Sequence, residues 1–306
     1  MAEITAMGNA GVYTIGFDDR QQKGCSFRRQ VCLHPVESKK PESSGNNKMT
    51  VARQDLGQAF HIYGPDRPSR FLVTCDHATN RVPAEIGGGS LGVTATDMTR
   101  HIAFDPGAAG VTKALAEALD APAILSDFSR LVIDPNRGED DPTLVMKLYD
   151  GTLIPANRHV TTEEVERRMQ GLYLPYHAAY RALAARRADT VIVAIHSFTP
   201  CLNGRVPRPW QIGVLYSHVD ARLSRALLAR LANERDLCVG DNEPYLGHLP
   251  GDAVDRHALQ MGRHNTLIEL RNDLISDELA QTRWAQRLAP MLVAALADVE
   301  KDEAHG

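Results

Sequence analysis

No stretch of the chain stays apolar for long. Runs such as Val191 to Ile195 fall far short of the ~18 consecutive apolar residues that a membrane-spanning helix requires, so an integral helical membrane protein is excluded. An excess of positive charge is also missing. The 34 Lys+Arg stand against 38 Asp+Glu, a formal net charge of −4, and neither nucleic acid nor an anionic membrane surface is expected as a partner. Cysteine is sparse: Cys25, Cys32, Cys75, Cys201 and Cys238 are odd in number and without CxxC spacing. A disulfide framework and a structural zinc ribbon are therefore not supported, and a reducing, cytoplasmic setting fits best. Gly87-Gly88-Gly89 does not open a helix after a strand in the manner of a dinucleotide loop, which removes a nucleotide site.

What the chain does have is an ordinary globular composition, 43% apolar and 24% charged. Residues 1 to 48 differ, with 16 apolar positions in 48 and a polar cluster from Lys39 to Asn47. Residues 1–50 read as a disordered or non-native extension, with one catalytic domain expected over 51–306. From about residue 70, short β-branched runs alternate with helical patterns, which predicts an α/β fold with a mixed, mostly parallel central sheet flanked by helices. Strands are expected at Phe71 to Cys75, Leu131 to Ile133, Thr190 to Ile195, Gln211 to Tyr216 and Thr266 to Leu270. Helices are expected over 105–119, from the Thr161/Glu164 capping box toward Arg187, over 220–234 and over 276–299.

Several of these strands end in reactive residues. Phe71 to Cys75 leads to Asp76-His77, Leu131 to Ile133 to Asp134-Pro135-Asn136-Arg137, Val191 to Ile195 to His196, and Leu267-Ile268 to Glu269 and Arg271. Ligands of open α/β sheets bind outside the carboxyl ends of strands, so the four segments are expected to converge. Two histidines fixed at strand ends suit zinc, which needs a third ligand, expected to be a carboxylate, and an open position. A glutamate able to act as general base and an arginine able to grip a carboxylate complete a hydrolytic set.

In unbroken order, Cys75-Asp76-His77-Ala78-Thr79-Asn80-Arg81-Val82-Pro83, His101-Ile102-Ala103-Phe104-Asp105-Pro106-Gly107-Ala108, Ser129 to Arg137, His196-Ser197-Phe198-Thr199-Pro200 and Ile268 to Ile275 resemble the N-formylglutamate amidohydrolase family over roughly residues 60 to 290. The resemblance implies a fold like that of zinc carboxypeptidases and the release of formate from N-formyl-L-glutamate during histidine breakdown. By the same resemblance His77 and His196 correspond to metal ligands, Asn136 and Arg137 to the pair that grips the substrate carboxylate, and Glu269 to the glutamate that activates water. The wider superfamily writes its first ligands as H-x-x-E, but Asn80 holds that third position after His77. Asp105 is the first choice for the third ligand. Asp76, Glu85 and Asp97 stay open, and Asp105 equally suits the N-cap of the helix that follows.

Arg271, two residues past Glu269 on a strand, projects to the same face and would bind a second carboxylate or pair with Glu269. The expected cofactor is Zn²⁺, with another divalent metal as the alternative. The expected partner is a small N-acyl amino acid, and no oligomeric state is implied. A deacylase or carboxypeptidase of another acyl amino acid or small peptide, or a non-catalytic binding protein of the same fold, is the competing reading. His101 and Tyr176-His177 read as packing residues, Asn242 to Gly251 as a lid or a plain turn, and Cys75 as a buried, inert thiol.

Overall fold

The strand Val191–Phe198 is buried at every one of its eight positions. Such a run needs cover on both faces of its sheet, and the rest of the fold supplies it. A computed structural model describes residues 3–8, 11–16 and 56–305. Strands β1 (Glu3–Gly8) and β2 (Gly11–Gly16) form an antiparallel hairpin within a unit spanning residues 1–53. The other positions of the expected extension lie outside the described residues. The second unit, residues 54–306, holds strands β3 (Phe60–Tyr63), β4 (Phe71–Cys75), β5 (Ala123–Ser126), β6 (Leu148–Tyr149), β7 (Thr152–Leu153), β8 (Val191–Phe198), β9 (Ile212–Leu215), β10 (Val239–Asp241) and β11 (Asn265–Arg271). Its α-helices are α1 (Ala95–Met98), α2 (Ala108–Ala118), α3 (Pro155–Arg158), α4 (Thr162–Arg168), α5 (Leu174–Ala184), α6 (Arg222–Leu231), α7 (Ala253–His257) and α8 (Glu278–His305).

The unit is a single α/β domain. Seven strands order as β10-β9-β11-β8-β4-β5-β3. The pairs β11–β8, β8–β4, β4–β5 and β10–β9 are parallel, while β9–β11 and β3–β5 are antiparallel. Alternation along the strands divides the core in two. Val191, Val193 and Ile195 pack with Leu115 of α2, Leu227 of α6 and Leu288 of α8. Ile192 and Ala194 turn to the other face, against Tyr176 and Tyr180 of α5. His196 and Glu269 follow this second parity. Among the described residues no helix is long and apolar enough to cross a membrane.

Three local expectations need correction. Leu131 to Ile133 is buried but joins no strand. Ser129 curls the chain by accepting from Leu131 N at 3.2 Å and Val132 N at 2.9 Å, and the carbonyls of Leu131 and Val132 take side-chain donors from Asn157 (2.7 Å) and Arg168 (2.9 Å). Side chains thus satisfy backbone groups that a sheet would otherwise pair. The helix expected from 105 begins at Ala108, capped by Gly107 at φ 82° with no side-chain cap bond, so Asp105 is not its N-cap. The long helix opens as expected, with Thr161 accepting from Glu164 N, but a π-turn at Met169–Tyr173 divides α4 from α5, which ends at Ala184. Strands β3, β5 and β10 have no counterpart among the expected elements.

Candidate metal and hydrolytic centre

Strand geometry brings the central residues together. His77 follows the end of β4, His196 lies on β8, and Glu269 of β11 is the registered partner of His196. Partners in register on neighbouring strands share a face, so the imidazole and the carboxylate point into the same space. Asp105 arrives from the turn before α2, where its backbone N–H donates to the His77 carbonyl at 2.9 Å. Its Oδ2 lies 2.9 Å from His196 Nδ1 and 3.4 Å from His77 Nδ1. One donor atom from each of His77, Asp105 and His196 lies within 4.8 Å of the others, and all three residues are buried.

The far side of each ring is held by another carboxylate. His77 Nε2 meets Asp134 Oδ1 at 2.7 Å, and His196 Nε2 meets Asp76 Oδ2 at 3.2 Å. A carboxylate on Nε2 keeps a proton there and leaves the Nδ1 lone pair free, which is how ligating histidines are oriented. Two lone-pair nitrogens and a carboxylate oxygen facing one another in a buried space suit a cation. Formal charge agrees: Asp76, Asp105 and Asp134 are buried with Arg130 as the one guanidinium bonded among them, leaving 1 − 3 = −2 before either histidine is protonated. The donor set therefore fits a divalent metal. Burial opposes charge on His196, yet bonds to Asp105 and Asp76 push it well above the usual imidazole range. A metal would take the place of that proton. Burial likewise opposes ionisation of Asp105 and Asp134, but the charges around them, His77 and His196 for the first and Arg130 and His77 for the second, hold both well below the ordinary carboxylate value.

Glu269 is the unpaired acid of the centre. It is 7% exposed, and its Oε2 has no hydrogen-bond partner. Burial, the largest influence, pushes its carboxyl up to about 7. His196, His77 and Arg130 pull the other way, and Asp105 adds to the rise.

The remaining expected residues have other partners. Asn136 N donates to Asp134 Oδ1 at 2.9 Å, and Asn136 Oδ1 accepts from Ala253 N at 3.2 Å. Arg137 is half-buried, its Nε 3.1 Å from Thr143 Oγ1. Arg271 pairs with Asp273 at 2.8 Å rather than with Glu269. Asn80 donates to the Met98 carbonyl at 2.7 Å, Asp97 pairs with Arg100, and Glu85 is exposed, which places Asn80, Asp97 and Glu85 away from the triad. Asp76 supports His196 from behind. His101 lies beside the centre, its ring against Tyr149 at 5.9 Å.

The segment 242–251 is a built turn. Asn242 Oδ1 takes Tyr216 N at 2.8 Å and Gly247 N at 3.3 Å. Tyr245 projects from it, 40% exposed, with Arg208 stacked on its ring at 4.9 Å. Burial pushes its phenol up to about 12, with the charge of Glu269 adding to the rise. Three groups support the centre in a role the sequence did not assign them: Arg130, which bonds Asp134 through Nε and Nη2; Asp134, expected only as a reactive strand-end residue; and Tyr176, expected as packing, whose hydroxyl donates to Asp76 Oδ1 at 2.6 Å. The proximity of Arg130 and Asp134 to Asn136-Arg137 was the available signal. For Tyr176 there was none, since its partner lies 100 positions away.

Comparison with known proteins adds to this geometry. The sequence pattern of the N-formylglutamate amidohydrolase family matches residues 69–276. A solved gene product of Agrobacterium tumefaciens is similar at 34% identity, over 80% of this chain and 97% of that one, with a TM-score of 0.75. An N-formylglutamate amidohydrolase of Ralstonia eutropha shares 20% identity over 81% of this chain and 99% of its own, with a TM-score of 0.53, a likeness of fold. A comparison with curated proteins finds no match.

Proposed function

From the premise that the chain belongs to the N-formylglutamate amidohydrolase family, whose members hydrolyse amide bonds, we propose that it is a zinc-dependent hydrolase of N-formyl-L-glutamate, releasing formate and glutamate. The observation that carries the reading is the pairing of the buried His77–Asp105–His196 triad with the unpartnered carboxylate of Glu269 on the neighbouring strand. Two imidazoles and one carboxylate are a zinc-type donor set that leaves a coordination position open. When bound there, a divalent ion supplies Lewis acidity toward the acyl carbonyl and acidifies water.

The chain's own residues do the rest. Glu269 accepts the proton of the attacking water at a carboxylate oxygen and returns it to the amine nitrogen as the C–N bond breaks. Asp134 and Asp76 hold the two imidazoles in the tautomer that exposes Nδ1. Arg130 keeps Asp134 ionised, and with it the orientation of His77. Arg137, with Asn136, binds a substrate carboxylate and fixes the acyl group over the centre. Arg271 would contribute only by exchanging its present partner Asp273 for substrate. The test is formate release from N-formyl-L-glutamate by purified protein, before chelation, after it, and after zinc is restored. Activity lost and regained with zinc supports the proposal. Zinc-replete protein that releases no formate overturns it.

A further inference from the structure

Arg208 is a cation held by rings rather than by an acid. Around the centre, Arg130 bonds Asp134, Arg100 bonds Asp97 and Asp150, Arg271 bonds Asp273 and Arg256 bonds Glu139. For Arg208, no carboxylate among the described residues lies within ion-pair distance. Its guanidinium instead lies over the rings of Phe198, at 5.6 Å, and Tyr245, at 4.9 Å, with Nη1 donating to the Thr199 carbonyl at 3.1 Å. Aromatic stacking, the backbone bond and a side-chain bond to the Tyr245 phenol hold the planar fork in place and leave further N–H donors of its five for a ligand.

The position of this fork ties it to the reaction centre. Phe198 lies on β8 two residues beyond His196, on the same face and about 7 Å further along the strand. Tyr245, the other ring beneath the guanidinium, is close enough to Glu269 for its charge to be felt at the phenol. The interior is lined by Asp76, Asp105, Asp134 and Glu269, so a substrate carrying two negative charges needs cations placed outside them. Arg137 can serve one carboxylate. An amino acid with an acidic side chain carries a second, whose carbon in glutamate lies four bonds from the amide nitrogen.

We propose that Arg208 receives the side-chain carboxylate of an N-acyl dicarboxylic amino acid, and so sets a preference for acidic over neutral side chains. This rests on the amidohydrolase reading above and adds a specificity-determining residue to the same site. Its test compares N-formyl-L-glutamate with its neutral isostere N-formyl-L-glutamine in zinc-loaded wild-type, Arg208→Gln and Arg208→Lys enzymes. Arg208→Gln is expected to lower kcat/KM for the glutamate substrate about 10- to 100-fold, the range of a lost charge-assisted pair. Most of that loss appears in KM, the glutamate-to-glutamine ratio falls toward one, and Arg208→Lys recovers part of it.

Equal losses on both substrates, or no loss on either, overturn the assignment. Calorimetric titration with glutarate, which has two carboxylates and no amide, separates this inference from the hydrolase reading. Binding weakened by Arg208→Gln in a protein that hydrolyses neither substrate would sustain the carboxylate site while removing the amidase. Equal binding by wild type and variant, or none by wild type, overturns the carboxylate site.

Discussion

Glu269 has an oxygen without a partner in a buried setting, an arrangement that costs stability unless a reacting molecule uses it. Glu269→Gln preserves shape and removes the base. Its kcat is expected to fall about 10²- to 10⁴-fold, with metal content by elemental analysis unchanged. Unaltered turnover would end the role assigned to this side chain. Asp134 and Asp76 act one bond further out, on the Nε2 atoms of His77 and His196. Asp134→Asn or Asp76→Asn is expected to weaken metal binding about 10- to 100-fold, read by competition with a chromophoric chelator. Affinity equal to wild type in both variants would show that the rings need no such support.

Among the elements, the turn before α2 decides where Asp105 stands. Gly107 adopts φ 82°, and a Cβ there would come within 2.3 Å of the Ile275 carbonyl oxygen and 2.7 Å of the Ile275 side chain. Gly107→Ala is expected to cost about 1–3 kcal/mol, measured by urea unfolding, and to loosen metal binding by displacing Asp105. Full stability in that variant would mean the turn relaxes freely. This turn also marks a limit of reading sequence. Asp105-Pro106 carries every local sign of a helix start, and only the bonds from His196 and from Ser197 N to its carboxylate, 91 and 92 positions away, explain why Asp105 serves the centre instead.

Segments with strong periodicity were legible: β4, β8, β9, β11, α6 and α8 lie where apolar spacing placed them. Leu131 to Ile133 misled because an apolar triplet looks alike in a strand and in a buried curl. The strand-end histidines and Glu269 stood out by chemistry and position. Tyr176 and Arg208 did not, since rings and guanidinium groups gain meaning only from what they touch.

At the level of the whole molecule, pH and metal should both register in stability. His177 and His257 are buried together, Nδ1 to Nε2 at 2.9 Å, with Tyr180 stacked on His257. Burial pushes His257 down to about 3 and His177 well below its ordinary value. Arg256 and Arg181 add to the fall in both, Arg263 in His257 alone, and Asp76 opposes it at His257. Above pH ~6.5, the unfolded-state value, neither state protonates these rings and they add no pH dependence. Below it the unfolded chain binds protons that the native one refuses, so each ring removes about 1.4 kcal/mol per pH unit until pH reaches about 3 for His257. Urea midpoints at pH 7 and pH 5 should therefore differ more in wild type than in His257→Gln. Equal differences would refute the contribution. Chelation should lower the melting temperature, and zinc restore it, because a ligand bound only to the native state stabilises it.

Cα pairing of Glu269 with His196 across β11 and β8 makes the acid and the imidazole occupants of one rung. Strand residues alternate sides, so slipping β11 by a single residue would offer Ile268 or Leu270 to the polar pocket and swing the carboxylate into the oily layer under α8. Chain length between these two strands can therefore vary in the loops and helices but not by an uncompensated single step within the ladder. The spacing of the reactive groups is inherited from the pleat itself.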